Sequence, residues 1–187
     1  MNFLIVTGLS GAGKSMAVNA LEDIGFFCID NIPAGLLPRI LDFAQQGENQ
    51  LSRVAVVMDI RGLHSVQETN EALEALDEKK MPYDILFLDA SDAARRYKET
   101  RRVHPMTISE GIPVSEAITK ERQILQPLRE RAKYVIDTSL LSTAQNRERV
   151  SSLFLQKGQC AMSINVVSFG FKYGLPQEAD IVFDVRC

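Results

Sequence analysis

The sequence predicts an α/β protein: a mostly parallel five-stranded sheet with helices on both faces. Three observations predict it. Apolar runs alternate with helically spaced stretches through the first 155 residues. The clearest of these runs is unbroken, as in parallel strands covered on both faces. And each run ends in a glycine or a carboxylate, which places polar groups along the rim where open α/β sheets bind ligands.

The elements follow in order. NFLIVTG (2–8) reads as a buried strand. Ala17, Ala20, Leu21 and Ile24 then keep helical spacing until Gly25. FFCIDN (26–31) is a second strand, and Pro33 suits the first turn of a helix carrying Leu37, Ile40, Leu41 and Ala44 up to Gly47. RVAVVMDI (53–60) is the third strand; Val66, Leu73 and Leu76 mark a helix over 64–80. YDILFLDA (83–90) is the fourth strand, followed by a basic helix over 91–102 and a Pro-, Gly- and Ser-rich loop over 103–114. A long helix over 115–132, the strand YVIDT (134–138) and a helix over 142–155 complete the pattern. Strands alternating with helices mean βαβ units and right-handed crossovers.

The rhythm then breaks. INVVSFGF (164–171) and DIVFDV (180–185) read as two strands joined by a turn containing KYGLP. We therefore divide the chain into a domain over 1–155 and, over 156–187, the start of a second, incomplete one. A strand at a terminus needs a partner for its backbone groups, so self-association through that edge is an expectation.

Composition narrows the function classes. The 187 residues suffice for one well-cored domain and a little more. An apolar share of 45% and a charged share of 24% are ordinary for a globular protein. No run approaches the roughly 18–20 apolar residues of a membrane helix, and MNFLIVTG lacks the basic start of a secretory signal. Cys28, Cys160 and Cys187 are odd in number and far apart, which argues against a disulfide framework or zinc site and for a reducing, cytoplasmic setting. His64 and His104 stand alone and read as surface or turn residues rather than metal ligands. A net charge of -3 gives no global drive toward nucleic acid.

The stretch after the first strand, Gly8-Leu9-Ser10-Gly11-Ala12-Gly13-Lys14-Ser15, satisfies the phosphate-loop pattern and lies between a strand and a helix, as that pattern requires. Glycines let backbone N–H groups approach phosphate oxygens. The helix that follows adds free donors and the positive end of its dipole. Lys14 is expected to reach the β- and γ-phosphates and the Ser15 hydroxyl to bind Mg²⁺. The fold class thereby becomes P-loop NTPase/kinase-like.

Other strand ends supply candidates with two readings each. Asp59 has the form of the carboxylate that helps hold Mg²⁺, or of a capping aspartate. Asp30 is a candidate base or Mg²⁺-orienting group, or the start of an Asx-type turn with Asn31. Asp89 and Asp137 read as structural. Arg95, Arg96, Arg101 and Arg102, with Lys98, are candidates for a lid that neutralises a transferred phosphoryl group. A solvated basic face or a small RNA-binding patch are the alternatives.

GLSGAGKS, ALEDIGFFCIDNIP (20–33), LFLDASDAARRYKETRRVHPM (86–106), LQPLRERAKYVIDTS (125–139) and SFGFKYGLPQEADIVFDVRC (168–187) together resemble the RapZ/YvcJ family of bacterial P-loop proteins. The resemblance spans essentially the whole chain, and the tail and ETRRVHP blocks are more specific than the phosphate loop. It implies ATP binding at Gly8–Ser15, GTP binding at the D-x-R-x segment Asp59-Ile60-Arg61-Gly62, and hydrolysis of both nucleotides. It further implies, for some members, a role as RNase adapter that presents a small RNA to a ribonuclease. Family members continue past the position of Cys187 into the region tied to RNA, so RNA or ribonuclease partners are expected through that further region.

The leading expectation is a domain that binds ATP and GTP with Mg²⁺ and hydrolyses them weakly, since no water-orienting Gln or Glu stands out. A small-molecule kinase with an arginine-rich lid, and an RNA- or protein-binding module regulated by nucleotide, are the alternatives.

Overall fold

The computed structural model of the chain describes residues 2–46, 52–63, 65–80, 82–91, 103–155, 168–170 and 181–184. Five strands form one sheet: β1 (Asn2–Gly8), β2 (Phe27–Ile29), β3 (Arg53–Val57), β4 (Tyr83–Asp89) and β5 (Tyr134–Asp137). Their order is β2-β3-β1-β4-β5, and every neighbouring pair is parallel. β1 runs from Asn2 opposite Arg53 to Val6 opposite Val57 on one side, and from Phe3 opposite Tyr83 to Gly8 opposite Leu88 on the other. The chain leaves β1 toward one edge and later returns to build the other. Its carboxyl end is therefore the switch point where such sheets form a crevice.

The described helices are α1 (Lys14–Asp23), α2 (Leu37–Gln46), α3 (Val66–Glu78), α4 (Pro105–Glu110), α5 (Val114–Glu130) and α6 (Thr143–Phe154). A short 3₁₀ turn, Ala34–Leu36, leads into α2. α1 packs on α6, while α3 packs on α2 and α5. With right-handed crossovers these become the two layers that cover the sheet. Apolar residues of β1 and β3 are buried on both faces, as their unbroken runs require. Leu21, Leu73, Leu76, Leu125 and Leu128 complete the core from the helices.

Two strands are shorter than their apolar runs. β2 ends at Ile29 because Asn31 turns into the left-handed region at φ 58°. The Ile32 N–H then donates to the Val57 carbonyl and carries the chain over the end of β3. β3 ends at Val57, and Asp59 to Gly62 form a turn instead of strand.

The expectation of a loop over 103–114 is corrected by α4. Its first turn has Pro105, Gly111 closes it at φ 70°, and the His104 ring caps its start by accepting from the Met106 N–H. His104 is correspondingly not a surface residue: it is fully buried. Of the basic helix expected over 91–102, Ser91 is in a turn and the rest lies outside the described residues, as does His64. Of the two strands expected over 164–171 and 180–185, described residues 168–170 and 181–184 are in no strand. The remainder of both segments lies outside the described residues.

At the amino ends of the strands, Arg53 donates to the carbonyls of Ile24 and Phe154 and stacks over the Phe26 ring at 4.1 Å. This ties the ends of α1 and α6 to the sheet on the side opposite the phosphate loop. A hollow of about 400 Å³, lined in part by Phe26, Arg53, Tyr134 and Phe154, opens there. It is far from the motif that carries chemistry. In β2, burial and the charges of Glu22 and Asp30 push the Cys28 thiol up to about 12, which leaves it protonated and unreactive near neutral pH.

Candidate functional site

The chain leaves β1 through Gly8, whose φ of 143° and contact with β4 admit no side chain. A Cβ there would lie 2.1 Å from the Leu88 carbonyl oxygen. The Leu9 N–H donates to that same oxygen, and the Ala12 N–H closes back on the Leu9 carbonyl. Gly13, at φ 91°, occupies the position before α1; its carbonyl takes the Met16 and Ala17 N–H groups. No side chain caps α1 and no acidic residue lies in its first turn. The helix end thus presents N–H donors and positive dipole with no carboxylate in its own first turn, the arrangement that receives phosphate.

Residues far away in sequence hold this loop in shape. Ser10 is buried, and both its N–H (3.0 Å) and its hydroxyl (2.6 Å) donate to the Glu121 carboxylate on α5. The other Glu121 oxygen lies 3.1 Å from His104 Nε2. The Thr138 hydroxyl, just past β5, donates to the Ala12 carbonyl at 2.9 Å. Asn146, on α6, sits against Gly13, where a Cβ would meet its amide nitrogen at 2.7 Å. None of Glu121, His104, Thr138 or Asn146 emerged from the sequence as a site residue. One signal was present: Glu121 shares the buried stripe of α5 with Ala117, Ile124, Leu125 and Leu128, so a carboxylate stands where an apolar residue belongs.

Lys14 opens α1. Its ammonium donates to the carbonyls of Gly8 (2.7 Å) and Leu9 (3.2 Å), folded back over its own loop. Burial pushes its pKa below the ordinary lysine value; Glu121 opposes this most, then Asp59, while Arg61 adds to the depression and Asp30 opposes it. An arriving phosphate supplies the negative charge that favours the ammonium. Ser15 is exposed at the same helix end.

Asp59 and Asp30 line the neighbouring wall. Asp59 Oδ1 accepts from the Arg61 N–H at 2.8 Å, and its other oxygen lies 3.8 Å from Arg61 Nε. Its turn is closed by the Gly62 N–H donating to the Asp59 carbonyl. Asp30 accepts from the Asn31 N–H. The two loops touch through Gly62: a Cβ there would lie 2.9 Å from the Ile32 carbonyl. The last residue of Asp59-Ile60-Arg61-Gly62 therefore serves close packing. Ile60 is buried and Arg61 exposed. Asp89 does more than cap: Arg122 and Arg129 of α5 both bind its carboxylate. Asp137 accepts from Ser139 in the turn after β5.

The structure thus gathers Gly8 to Ser15, Asp30 and Asp59 to Gly62 at the carboxyl rim of the sheet. Arg95, Arg96, Arg101 and Arg102 lie outside the described residues. Among the described residues no cluster of three or more His, Cys, Asp or Glu side chains is placed to hold a metal ion. Ser15, at the start of α1, and Asp59, after β3, supply one hydroxyl and one carboxylate, donor types that suit Mg²⁺ when ligand oxygens and water complete its shell. Among the described residues no helix is long and apolar enough to cross a membrane.

Comparison with known proteins agrees with this geometry. Residues 1–158 match the RapZ-like N-terminal domain and residues 162–187 the RapZ C-terminal domain. A curated "nucleotide-binding protein" of Alkaliphilus oremlandii is 45% identical, covering 100% of this chain and 64% of its own length. One of Moorella thermoacetica, with the same description, is 49% identical over 98% of this chain and 62% of its own. The chain thus spans a little under two thirds of these relatives. Shikimate kinase from Bacteroides thetaiotaomicron superposes with a TM-score of 0.50 at 17% identity, covering 81% of this chain and 95% of that one, a likeness of fold alone. From the phosphate loop at the switch point to the family match over residues 1–158, the chain belongs to the RapZ-like family.

Proposed function

We propose that this chain is the nucleotide-binding part of a regulatory protein, taking ATP and GTP with Mg²⁺ in one phosphate pocket and hydrolysing them slowly. The observation that carries this reading is the loop Gly8–Ser15, pinned by Ser10 and Ala12 and leading into a helix end free of acidic residues. The description of its relatives as nucleotide-binding proteins supports it. Backbone N–H groups of the loop cradle the phosphates, and Lys14 turns from the loop carbonyls to the β- and γ-oxygens. Ser15 and Asp59 hold the metal ion. Arg61, exposed beside Asp59, faces the guanine or phosphate end, and Arg95, Arg96, Arg101 and Arg102, outside the described residues, would neutralise charge on the phosphates. Residues 156–187 begin a second domain, through which an RNA or ribonuclease partner and self-association would act.

A second reading, transfer to a small-molecule acceptor, is favoured by the wall that Asp30 and Asp59 build beside the loop, where a base would stand. Product analysis with γ-labelled ATP and GTP, alone and with a metabolite panel, separates the two. The proposed function predicts slow release of inorganic phosphate from both nucleotides and no labelled acceptor. Label reaching an acceptor faster than water assigns the site to a kinase instead.

A further inference from the structure

We propose that Glu121 is a positioning residue for the phosphate loop, with His104 as its second anchor, so that nucleotide affinity depends on a buried carboxylate that touches no phosphate. This rests on the loop being the nucleotide site. Three donors face one carboxylate: the Ser10 N–H and hydroxyl on Oε1, and His104 Nε2 on Oε2. All three residues are buried, and Glu121 and His104 are fully so. The His104 tautomer follows from its other nitrogen. Nδ1 accepts from the Met106 N–H at 3.2 Å, so the ring proton sits on Nε2 and points at Glu121. A buried carboxylate is costly unless its oxygens are satisfied. Here they are satisfied by the loop itself and by the start of α4.

The arrangement makes Ser10 the grip on the loop. Gly8, Gly11 and Gly13 all have positive φ, so the stretch has little intrinsic preference for one shape. Ser10 lies between them, and both of its donors converge on one oxygen. Glu121 also opposes the depressed pKa of Lys14 more than any other charge does. The same side chain therefore fixes the cradle and balances the cation that works in it. α5 and α4 hold the tie from two sides, so the loop is set by the crossover between β4 and β5 as well as by its own sequence.

The test is the affinity of the full 187-residue chain for Mg·ATP by calorimetric titration, with circular dichroism and thermal melting confirming that each variant is folded. Glu121→Gln turns an acceptor into a mixed group facing three donors, and is expected to weaken binding by about tenfold. Ser10→Ala, which removes the hydroxyl alone, is expected to weaken it by roughly threefold or more. In the double variant Ser10→Ala adds less than about twofold, since the tie is already broken. His104→Asn keeps an acceptor for the start of α4 but is too short to reach Glu121, and is expected to fall between wild type and Glu121→Gln. Wild-type affinity in folded Glu121→Gln and His104→Asn, or strict additivity of the Ser10 and Glu121 changes, overturns the proposal. Should Glu121→Gln not fold, Ser10→Ala and His104→Asn decide, and wild-type affinity in both overturns it. Lys14→Ala is the control. Binding lost there but retained in the Glu121 and His104 variants refutes this inference alone, whereas binding retained in Lys14→Ala refutes the site.

Discussion

Lys14→Ala is expected to lower the affinity for Mg·ATP and Mg·GTP by roughly two orders of magnitude. The ammonium lies within the loop, bonded to the carbonyls of Gly8 and Leu9, and under the proposed function it is the cation that meets the β- and γ-phosphates. Charge-assisted bonds to phosphate are the strong ones, and no second lysine lies in the loop to replace it. The variant should stay folded, since alanine favours the first turn of α1. Titration of both nucleotides checks this; affinity within about threefold of wild type removes Lys14 from the site.

Gly8→Ala is expected to damage the fold itself. A methyl group would stand 2.1 Å from the Leu88 carbonyl oxygen, at a φ of 143° that side chains avoid. Neither neighbour can yield cheaply. Gly8 is in register with Leu88 in the sheet, and that same oxygen holds the Leu9 N–H. The cost is about 3 kcal/mol or more, which lowers the thermal midpoint by roughly 6–12 °C for a chain of this size. Nucleotide binding should fall as well, because the loop starts from this residue. A midpoint within about 1 °C of wild type contradicts the close approach.

The two substitutions mark what could be read from the sequence and what could not. Gly8, Lys14 and the strand before them form a local pattern, and local patterns are legible: the strand run fixes β1, and glycine spacing fixes the loop. The carboxylates at strand ends are legible for the same reason. Glu121 is not, because its meaning depends on Ser10, 111 positions away. Only its place in the apolar stripe of α5 hinted at burial. His104 misled because a lone histidine before proline suits a turn; its partner lies on another helix. α4 was missed because six residues are too few for periodicity, although Pro105 and Gly111 bracket it. The role of Gly62 has no local signal, because its reason is the Ile32 carbonyl, contributed by the neighbouring loop.

The proposed single pocket for ATP and GTP is tested at Asp59. Its carboxylate orders the turn to Gly62 through the Arg61 N–H, and it is among the charges that act on Lys14. The proposed function accordingly places it in one site with the phosphate loop. The direct measurement is titration of ATP and GTP with Mg²⁺, singly and in competition, against the wild-type chain and Asp59→Asn. A single phosphate site predicts that the nucleotides displace one another and that both bind more weakly to Asp59→Asn. Simultaneous binding of both, with only GTP lost in the variant, would place Asp59 to Gly62 in a separate site and contradict the account.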